Sequence, residues 1–221
     1  MKIIGYIHTD FPEKFGIPRQ SGMIEELEAK IVFEPEYRNP DAVRGLDEFS
    51  HIWLLWGFSL NRKSDSWSPT VRPPRLGGNK RIGVFATRSP YRPNSIGLSC
   101  VKIERIEDGP VIYVSGADLA DKTPIYDIKP YLPYTDSHPD AKNGFAGEFI
   151  DYKLNVAVPE NINIPKEHLD AVIKVLERDP RPSYQNDSER VYGMKYKNFE
   201  IKFKVEGEML TLCDFLQYPT E

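Results

Sequence analysis

Residues 99–115, SCVKIERIEDGPVIYVS, contain a pattern that predicts a β-hairpin. Ser99–Ile106 is rich in β-forming residues, and Val111–Ser115 is a second run of the same kind. The dipeptide Gly109–Pro110 lies between the two runs and marks a turn. We therefore predict that Val111–Ser115 is the return strand that pairs with Ser99–Ile106.

Further segments on either side of this hairpin have the composition of short strands: Lys2–His8, Lys30–Phe33, Ser50–Phe58, Arg81–Thr87 and Ile125–Ile128. Of these, Ser50–Phe58 is almost continuously apolar, which is typical of a strand buried on both faces. Asp41 is a candidate N-cap for a short helix over residues 41–49. About seven short strands separated by turns favour a β-barrel or a β-sandwich over a doubly wound sheet.

The composition changes at residues 133–147, PYTDSHPDAKNGFAG, where Pro, Asp, Asn and Gly cluster. This change predicts a boundary near residue 143, between a β-rich domain over residues 1–143 and a small α+β domain over residues 144–221.

The second domain has its own periodic segments. Glu148–Val158 is a predicted strand, and Pro165 opens a helix with one apolar stripe that ends before Asp179–Pro180. Strict alternation from Phe199 to Val205, followed by a turn and Met209–Leu212, predicts a hairpin with one buried face.

Basic charge is concentrated in one segment. Residues 66–103 contain no acid and seven cations, whereas 22 Lys and Arg face 33 Asp and Glu in the rest of the chain. The cations are Arg72, Arg75, Lys80, Arg81, Arg88, Arg92 and Lys102. Guanidinium groups beside Gly- and Pro-rich backbone suit phosphate or nucleotide binding. A solvated basic surface loop is the alternative.

Several function classes lack their signatures here. The chain has no GxGxxG, GxxxxGK[ST], HExxH or GxSxG motif, and its two cysteines form no CxxC, so we predict no metal site. Cys100 and Cys213 lie among apolar or β-type neighbours, which indicates buried, reduced thiols. The longest apolar run, at residues 52–58, is too short to span a bilayer, and the amino terminus lacks a secretion signal. These features predict a soluble, cytoplasmic protein.

The candidate binding residues lie in loops: PRQSG at 18–22, RLGGN at 75–79, ATRSPYRPNSIG at 86–97, ADLADKTPIYDIKPYLPY at 117–134 and DPRPSY at 179–184. The first combines an arginine, an amide and a hydroxyl with a permissive glycine, which suits a carboxylate or a purine edge. In the third, two arginines flank Tyr91 on a proline-stiffened loop, which suits base stacking and phosphate contact. Each loop also has a purely structural explanation as a surface turn or, for DPRPSY, as a rigid helix stop.

Six motifs occur in one order along the chain: PRQSG, GLDEFSHIWLL, VRPPRLGGN, RIGVFATRSPYRPNSIGLS, ADLADKTPIYDIKPYLPY and DPRPSYQ. Together they resemble the TsaA-like family, also called YaeB or TrmO, of S-adenosylmethionine-dependent tRNA methyltransferases. The resemblance implies a mainly β protein, with a single-sheeted, TsaA-like β-barrel over residues 1–143 that binds S-adenosylmethionine and a small α+β carboxy-terminal domain. It also implies a homodimer with the cofactor near the subunit interface.

The implied reaction methylates the exocyclic amino nitrogen of threonylcarbamoyl-adenosine, just 3′ of the anticodon in threonine-type tRNA. Carried over by motif, the cofactor contacts are Gln20, Ser21, Gly22, Ser59, Leu60, Arg88, Leu98, Asp118, Asp121, Thr123 and Pro124. Two positions depart from the family, which often has His where Ser59 stands and Gly where Lys122 stands.

The general base is not assigned: Asp118, Asp121 or a backbone carbonyl of the same loop could accept a proton. Candidate tRNA contacts are Arg72, Arg75, Arg88, Tyr91, Arg92, Arg181 and Tyr184, around a splayed anticodon loop. Two other functions remain open: a non-catalytic RNA-binding module, and an S-adenosylmethionine-dependent methyltransferase acting on a small molecule.

Overall fold

The computed structural model describes residues 1–61, 67–73, 80–181, 185 and 187–218. In chain order the strands are β1 (Gly5–His8), β2 (Glu28–Phe33), β3 (His51–Gly57), β4 (Thr70–Val71), β5 (Ile82–Gly83), β6 (Ile96–Glu107), β7 (Val111–Ser115), β8 (Thr123–Pro130), β9 (Asn155–Ala157), β10 (Tyr192–Tyr196), β11 (Phe199–Glu206) and β12 (Met209–Gln217). The helices are α1 (Pro133–Asp136) and α2 (Lys166–Glu177).

Strands of the amino-terminal part close into an antiparallel barrel in the order β1-β2-β7-β6-β3-β8, and β8 pairs with β1 to complete it. The predicted hairpin is confirmed, because β6 and β7 pair with Lys102 opposite Ser115. The barrel is therefore the correct choice between the two architectures that the strand count left open.

The apolar run in β3 alternates in burial, contrary to the prediction that both faces are buried. Ile52 and Leu54 are fully buried inside the barrel, whereas Trp53 is half-buried on its outer surface. The Trp53 ring lies 5.7 Å from that of Tyr131, and its Nε1 donates to Asp136 at 2.9 Å. An apolar outward face thus reflects a local aromatic cover and not a second core.

One predicted helix and two predicted strands differ from the structure. The helix expected over residues 41–49 consists of two short 3₁₀ turns, separated by Gly45 at φ +79° and capped by Asn39 instead of Asp41. The strand expected at Arg81–Thr87 is only Ile82–Gly83 followed by a 3₁₀ turn, and that at Glu148–Val158 is only β9. In the first two cases a glycine, Gly45 or Gly83, interrupts the helix- or β-forming residues, and the regular structure ends there. In the third case a 3₁₀ turn over Gly144–Phe149 occupies the start of the predicted strand.

The carboxy-terminal part is a sheet in the order β10-β11-β12-β9 with α2 against it, and β9 runs parallel to β12. The predicted helix and hairpin are confirmed, although Pro165 is the N-cap and not the first helical residue. Helix α2 buries Val172 and Leu176 completely in the core of this part.

Two hydrophobic cores are present, one inside the barrel and one in the carboxy-terminal part. Phe11, Ile24 and Leu27 belong to the second core, so the segment between β1 and β2 packs on the carboxy-terminal part. We propose the domain boundary near residue 143 on the basis of these separate cores, with that segment as a bridge between them.

The two cysteines form no disulfide, as predicted, but neither is fully buried, contrary to the prediction. Cys100 is half-buried, and burial raises the pKa of its thiol, whereas Cys213 is exposed on β12. Among the described residues, no helix has both the length and the apolar content needed to cross a membrane.

Candidate functional site

A cavity of about 470 Å³ lies at one end of the barrel, where five loops and strand ends meet. Its lining includes Gln20, Ser59, Leu60, Arg88, Leu98, Asp118 and Thr123, all predicted as cofactor contacts. It also includes residues outside the predicted set of cofactor contacts: Lys14, Arg19, Trp56, Phe58, Asn61, Thr87 and Ala120. Three of the six motifs, PRQSG, RIGVFATRSPYRPNSIGLS and ADLADKTPIYDIKPYLPY, therefore contribute polar residues to one concave site.

Four predicted contacts lie outside this lining. The N–H of Cys100 donates to the Ser21 hydroxyl at 3.1 Å, and the N–H of Gly22 donates to the Gly116 carbonyl at 2.8 Å. Asp121 faces away from the cavity, since it accepts a hydrogen bond from the N–H of Thr9 at 3.2 Å. Pro124 lies in β8, opposite Tyr6 of β1.

Glycine is required where the PRQSG loop meets the barrel. Gly116 has φ +76°, and a Cβ added there would lie 3.1 Å from the backbone of Gly22. Only a residue without a side chain allows this approach. Ser21 and Gly22 thus dock the loop and leave Gln20 at the cavity.

Asp118 is the only carboxylate among the described lining residues. It accepts a hydrogen bond from the Ser99 hydroxyl at 2.5 Å, and that hydroxyl accepts one from Trp56 Nε1 at 2.9 Å. Burial raises the pKa of Asp118 above its ordinary value, although the Ser99 hydrogen bond and the charge of Arg88 act to lower it. Such a carboxylate is oriented and partly desolvated, which is common at functional sites.

The cavity lining also contains cations, among them Arg88 and Arg92. Arg88 Nη1 donates to Gln20 Oε1, which joins the two loops that carry them. Arg92 Nη1 donates to the carbonyls of Val84 at 3.1 Å and Thr87 at 2.8 Å, so this arginine shapes its own loop. The two predicted arginines therefore differ: Arg88 is exposed at the opening, and Arg92 is partly occupied by backbone.

Gly97 on β6 supports the wall of the cavity. The indole of Trp56 lies over it, and a Cβ at this position would be 2.2 Å from Trp56 Cε2. The indole has little room to move, because its Nε1 bonds Ser99 and its ring contacts Phe58 at 4.4 Å.

We expect Gly97→Ala to destabilise the protein by about 1–3 kcal/mol, since a core that receives an extra methyl group must distort. The displaced indole should also lower ligand affinity at the cavity. Thermal denaturation and ligand titration measure the two effects. Gly83→Ala is the control, because nothing lies within 4 Å of a Cβ at that exposed position. Equal stability of the two variants would contradict the packing argument.

A larger groove of about 2080 Å³ adjoins the cavity. The two share Arg19, Gln20, Asn61, Thr87, Arg88, Pro90, Arg92 and Ile96. Its described lining contains five cations and no acid, in a chain of net charge −4. The cations are Arg19, Arg72, Arg88, Arg92 and Lys142.

Exposed aromatic rings lie along the same groove. Trp67, Phe85 and Tyr91 are 51%, 70% and 62% exposed, and the Trp67 and Phe85 rings lie 5.9 Å apart. Large exposed rings of this kind often mark a binding surface. Of these three rings the sequence motifs singled out only Tyr91: Phe85 lies in RIGVFATRSPYRPNSIGLS without a predicted role, and Trp67 lies outside the six motifs.

The predicted tRNA contacts are only partly gathered here. Arg72 and Tyr91 line the groove, and Arg88 and Arg92 line both groove and cavity. Arg181 is elsewhere, 5% exposed and paired with Asp179 at 2.9 Å. Arg75 and Tyr184 lie outside the described residues.

Comparison with known proteins covers both parts of the chain. The family model described as "tRNA-methyltransferase O N-terminal domain" matches residues 6–137, and "TrmO C-terminal domain" matches residues 157–217. The "tRNA (adenine(37)-N6)-methyltransferase" of Escherichia coli (strain K12) is 38% identical over 215 residues, which is 91% of each chain. The "Putative S-adenosylmethionine-dependent methyltransferase RcsF" of Pseudomonas aeruginosa is 39% identical over 207 residues, covering 90% of this chain and 89% of that protein.

Solved structures agree with the sequence comparison. A crystal structure of TrmO from Pseudomonas aeruginosa has a TM-score of 0.81 and 32% identity, and covers 97% of this chain and 95% of that one. The similarity thus extends over the barrel, the carboxy-terminal sheet and the segments between them.

Proposed function

The chain belongs to the tRNA-methyltransferase O family, and from this we infer that it is an S-adenosylmethionine-dependent methyltransferase that modifies adenine 37 of tRNA on N6. The observation that supports this function at the site is that the cavity and the groove adjoin and share lining residues. Among the described residues, the cavity lining has one carboxylate, Asp118, and the adjoining groove is lined by cations and no acid. A small ligand and a polyanion can therefore meet at the shared residues.

The cavity has groups for each part of S-adenosylmethionine. Trp56 and Phe58 offer apolar ring surface, Asp118 can accept from hydroxyl or amino groups, and Lys14 and Arg88 can pair with a carboxylate. Asn61 supports the fit independently, because its Nδ2 is buried and has no hydrogen-bond partner among the described residues. A buried donor of this kind costs free energy until a ligand accepts its hydrogen bond.

When bound, S-adenosylmethionine supplies a methyl group already activated by a positive sulfur. The protein's main contribution is orientation, which can lower a barrier by roughly 7–11 kcal/mol. The amino nitrogen of adenine is a weak nucleophile, so an acceptor that holds one amino proton assists it. We propose Asp118 for that acceptor and leave Asp121 out, because Asp121 points to Thr9 and His8 instead of the cavity.

We propose that the groove binds the anticodon loop. Exposed rings at Trp67, Phe85 and Tyr91 offer surfaces for splayed bases, and Arg72 and Lys142 offer charges for phosphates. The proposed tRNA contacts are therefore Arg72, Arg88, Tyr91 and Arg92 from the sequence, with the two further rings and Lys142 from the structure.

The finer substrate assignment rests on the family resemblance. We propose that the acceptor is threonylcarbamoyl-adenosine in threonine-type tRNA, that the enzyme is a homodimer, and that it works in the cytoplasm. Sedimentation equilibrium measures the subunit number, and a monomer that retains full activity would contradict the dimer.

The test of function is methyl transfer from labelled S-adenosylmethionine to total tRNA. One tRNA pool comes from cells that make threonylcarbamoyl-adenosine and the other from cells that do not. We expect label in the first pool only. Label in both pools would contradict the required prior modification. Cofactor binding without label in either pool would favour a small-molecule acceptor, and absence of cofactor binding would favour a non-catalytic RNA-binding module.

A further inference from the structure

The PRQSG loop is held from two sides. Ser21 and Gly22 bond the barrel, whereas Arg19 Nη2 donates to the carbonyls of Asp179 at 3.0 Å and Arg181 at 2.8 Å in the carboxy-terminal part. Gln20 lies between these attachments, with its side chain at the cavity. The position of Gln20 therefore depends on both halves of the chain.

The two carbonyls that receive Arg19 belong to a buried ionic turn. Asp179 and Arg181 are 6% and 5% exposed. Asp179 Oδ1 accepts from Arg181 Nε at 2.9 Å, and its Oδ2 accepts from Arg181 Nη2 at 3.1 Å and from the Tyr152 hydroxyl at 3.0 Å. The carboxylate thus fixes the turn through both of its oxygens.

The buried ion pair and the backbone conformation of this turn both cost folding free energy, which suggests that the turn has a structural role. A buried ion pair loses hydration, and apolar residues of similar volume often stabilise a fold as well or better. Asp179 also has φ +49°, which is unfavourable for a residue with a side chain. The pair does fix the backbone at residues 179–181, where both carbonyls point to Arg19.

We propose that the Asp179–Arg181 pair positions the cofactor loop through Arg19, so that the carboxy-terminal part shapes the methyl-donor site. Arg181 is then a positioning residue and not a tRNA contact. The role in cofactor binding rests on the proposed function, whereas the restraint on residues 18–22 does not.

Arg19 itself lines the cavity, so its role must be separated from direct ligand contact. A lysine at position 19 keeps the charge, but its four-carbon stem ends short of the position from which Arg19 Nη2 donates to both carbonyls. Positioning therefore predicts that Arg19→Lys and Arg19→Ala weaken S-adenosylmethionine binding equally, by about tenfold for a lost charged hydrogen bond. Rescue by lysine would overturn the proposal in favour of a direct charge contact.

The second measurement is a double-mutant cycle between Arg19→Lys and Arg181→Lys. We expect each single variant to raise the Kd for S-adenosylmethionine about tenfold and the double variant to be no weaker, because both changes break one connection. In Arg181→Lys, a change outside the groove lining, the Kd for tRNA should stay within about twofold of wild type. Additive effects on cofactor affinity, or lost tRNA affinity with normal cofactor affinity, would overturn the proposal.

Hydrogen exchange of the ligand-free protein tests the restraint without any cofactor. The peptide over residues 18–22 should exchange faster in Arg181→Lys and at the wild-type rate in Arg190→Ala, which removes an exposed arginine of the same part. Unchanged exchange in Arg181→Lys would refute the positioning role even if the proposed activity holds. If Arg181→Lys does not fold, the same peptide in Arg19→Lys decides the question.

Discussion

Asp118→Asn is expected to lower kcat/KM for methyl transfer by about 100-fold or more, the usual effect of losing a positioned proton acceptor. The substitution keeps the size of the side chain and an oxygen that can accept from Ser99, but it removes the negative charge at the cavity. Methyl transfer at saturating tRNA and direct titration of the cofactor separate an effect on chemistry from one on binding.

The same substitution should raise stability, or leave it unchanged, at neutral pH. Because burial raises the pKa of Asp118, the folded protein binds this proton more tightly than the unfolded chain does. Between the ordinary pKa and the raised one, stability therefore falls as pH increases, and above the raised pKa the full cost of the buried charge is present. Asparagine removes that cost, so the thermal midpoint should not fall while activity does.

Wild-type activity should also decline as pH falls through the raised pKa, since protonation removes the acceptor. Asp121→Asn is the matched control, because Asp121 lies three residues further along the same loop and outside the cavity lining. Near-normal activity of Asp118→Asn, or an equal loss in both variants, would contradict the assignment of Asp118.

The pairing of neighbouring strands was predictable from sequence where β-forming composition and a turn signal occurred together. The β6–β7 hairpin is an example, because β-branched residues flank Gly109–Pro110 and the two strands pair, with one register shift between Ile103 and Arg105. Residues 81–87 have similar composition, yet Gly83 ends β5 and a 3₁₀ turn follows. Barrel closure depends on β8 meeting β1, a contact between residues more than a hundred positions apart that local periodicity does not encode.

The site was predictable only in outline, and for a physical reason. Motifs named the loops, but whether a side chain faces the cavity depends on tertiary contacts. Asp118 and Asp121 look alike in ADLADKTP, and the fold turns one to Ser99 and the other to Thr9. DPRPSY suggested an exposed arginine, whereas Arg181 is buried by its partner Asp179. No sequence pattern marks Asn61 as a site residue. It stands out only in the structure, where its Nδ2 is buried with no hydrogen-bond partner among the described residues.

The second large effect is expected from reversing charge across the groove. Arg72 and Lys142 are exposed, and among the described residues neither forms an ion pair. The double variant Arg72→Glu/Lys142→Glu should weaken tRNA binding on the order of 100-fold at low salt, because two phosphate contacts become repulsions. The slope of log K against log salt should fall by roughly 0.7 for each lost contact with single-stranded RNA.

A control with the same change in net charge tests whether the effect comes from the groove or from the total charge of the enzyme. Lys30→Glu/Lys166→Glu makes the same change in net charge at exposed positions outside the groove lining, and should leave the salt slope unchanged. Cofactor affinity should be normal in both double variants, since neither pair lines the cavity. If both double variants weaken tRNA equally, the attraction comes from net charge and the groove is not the binding track. If the groove variant instead changes only the subunit number, a second copy of the chain occupies this surface.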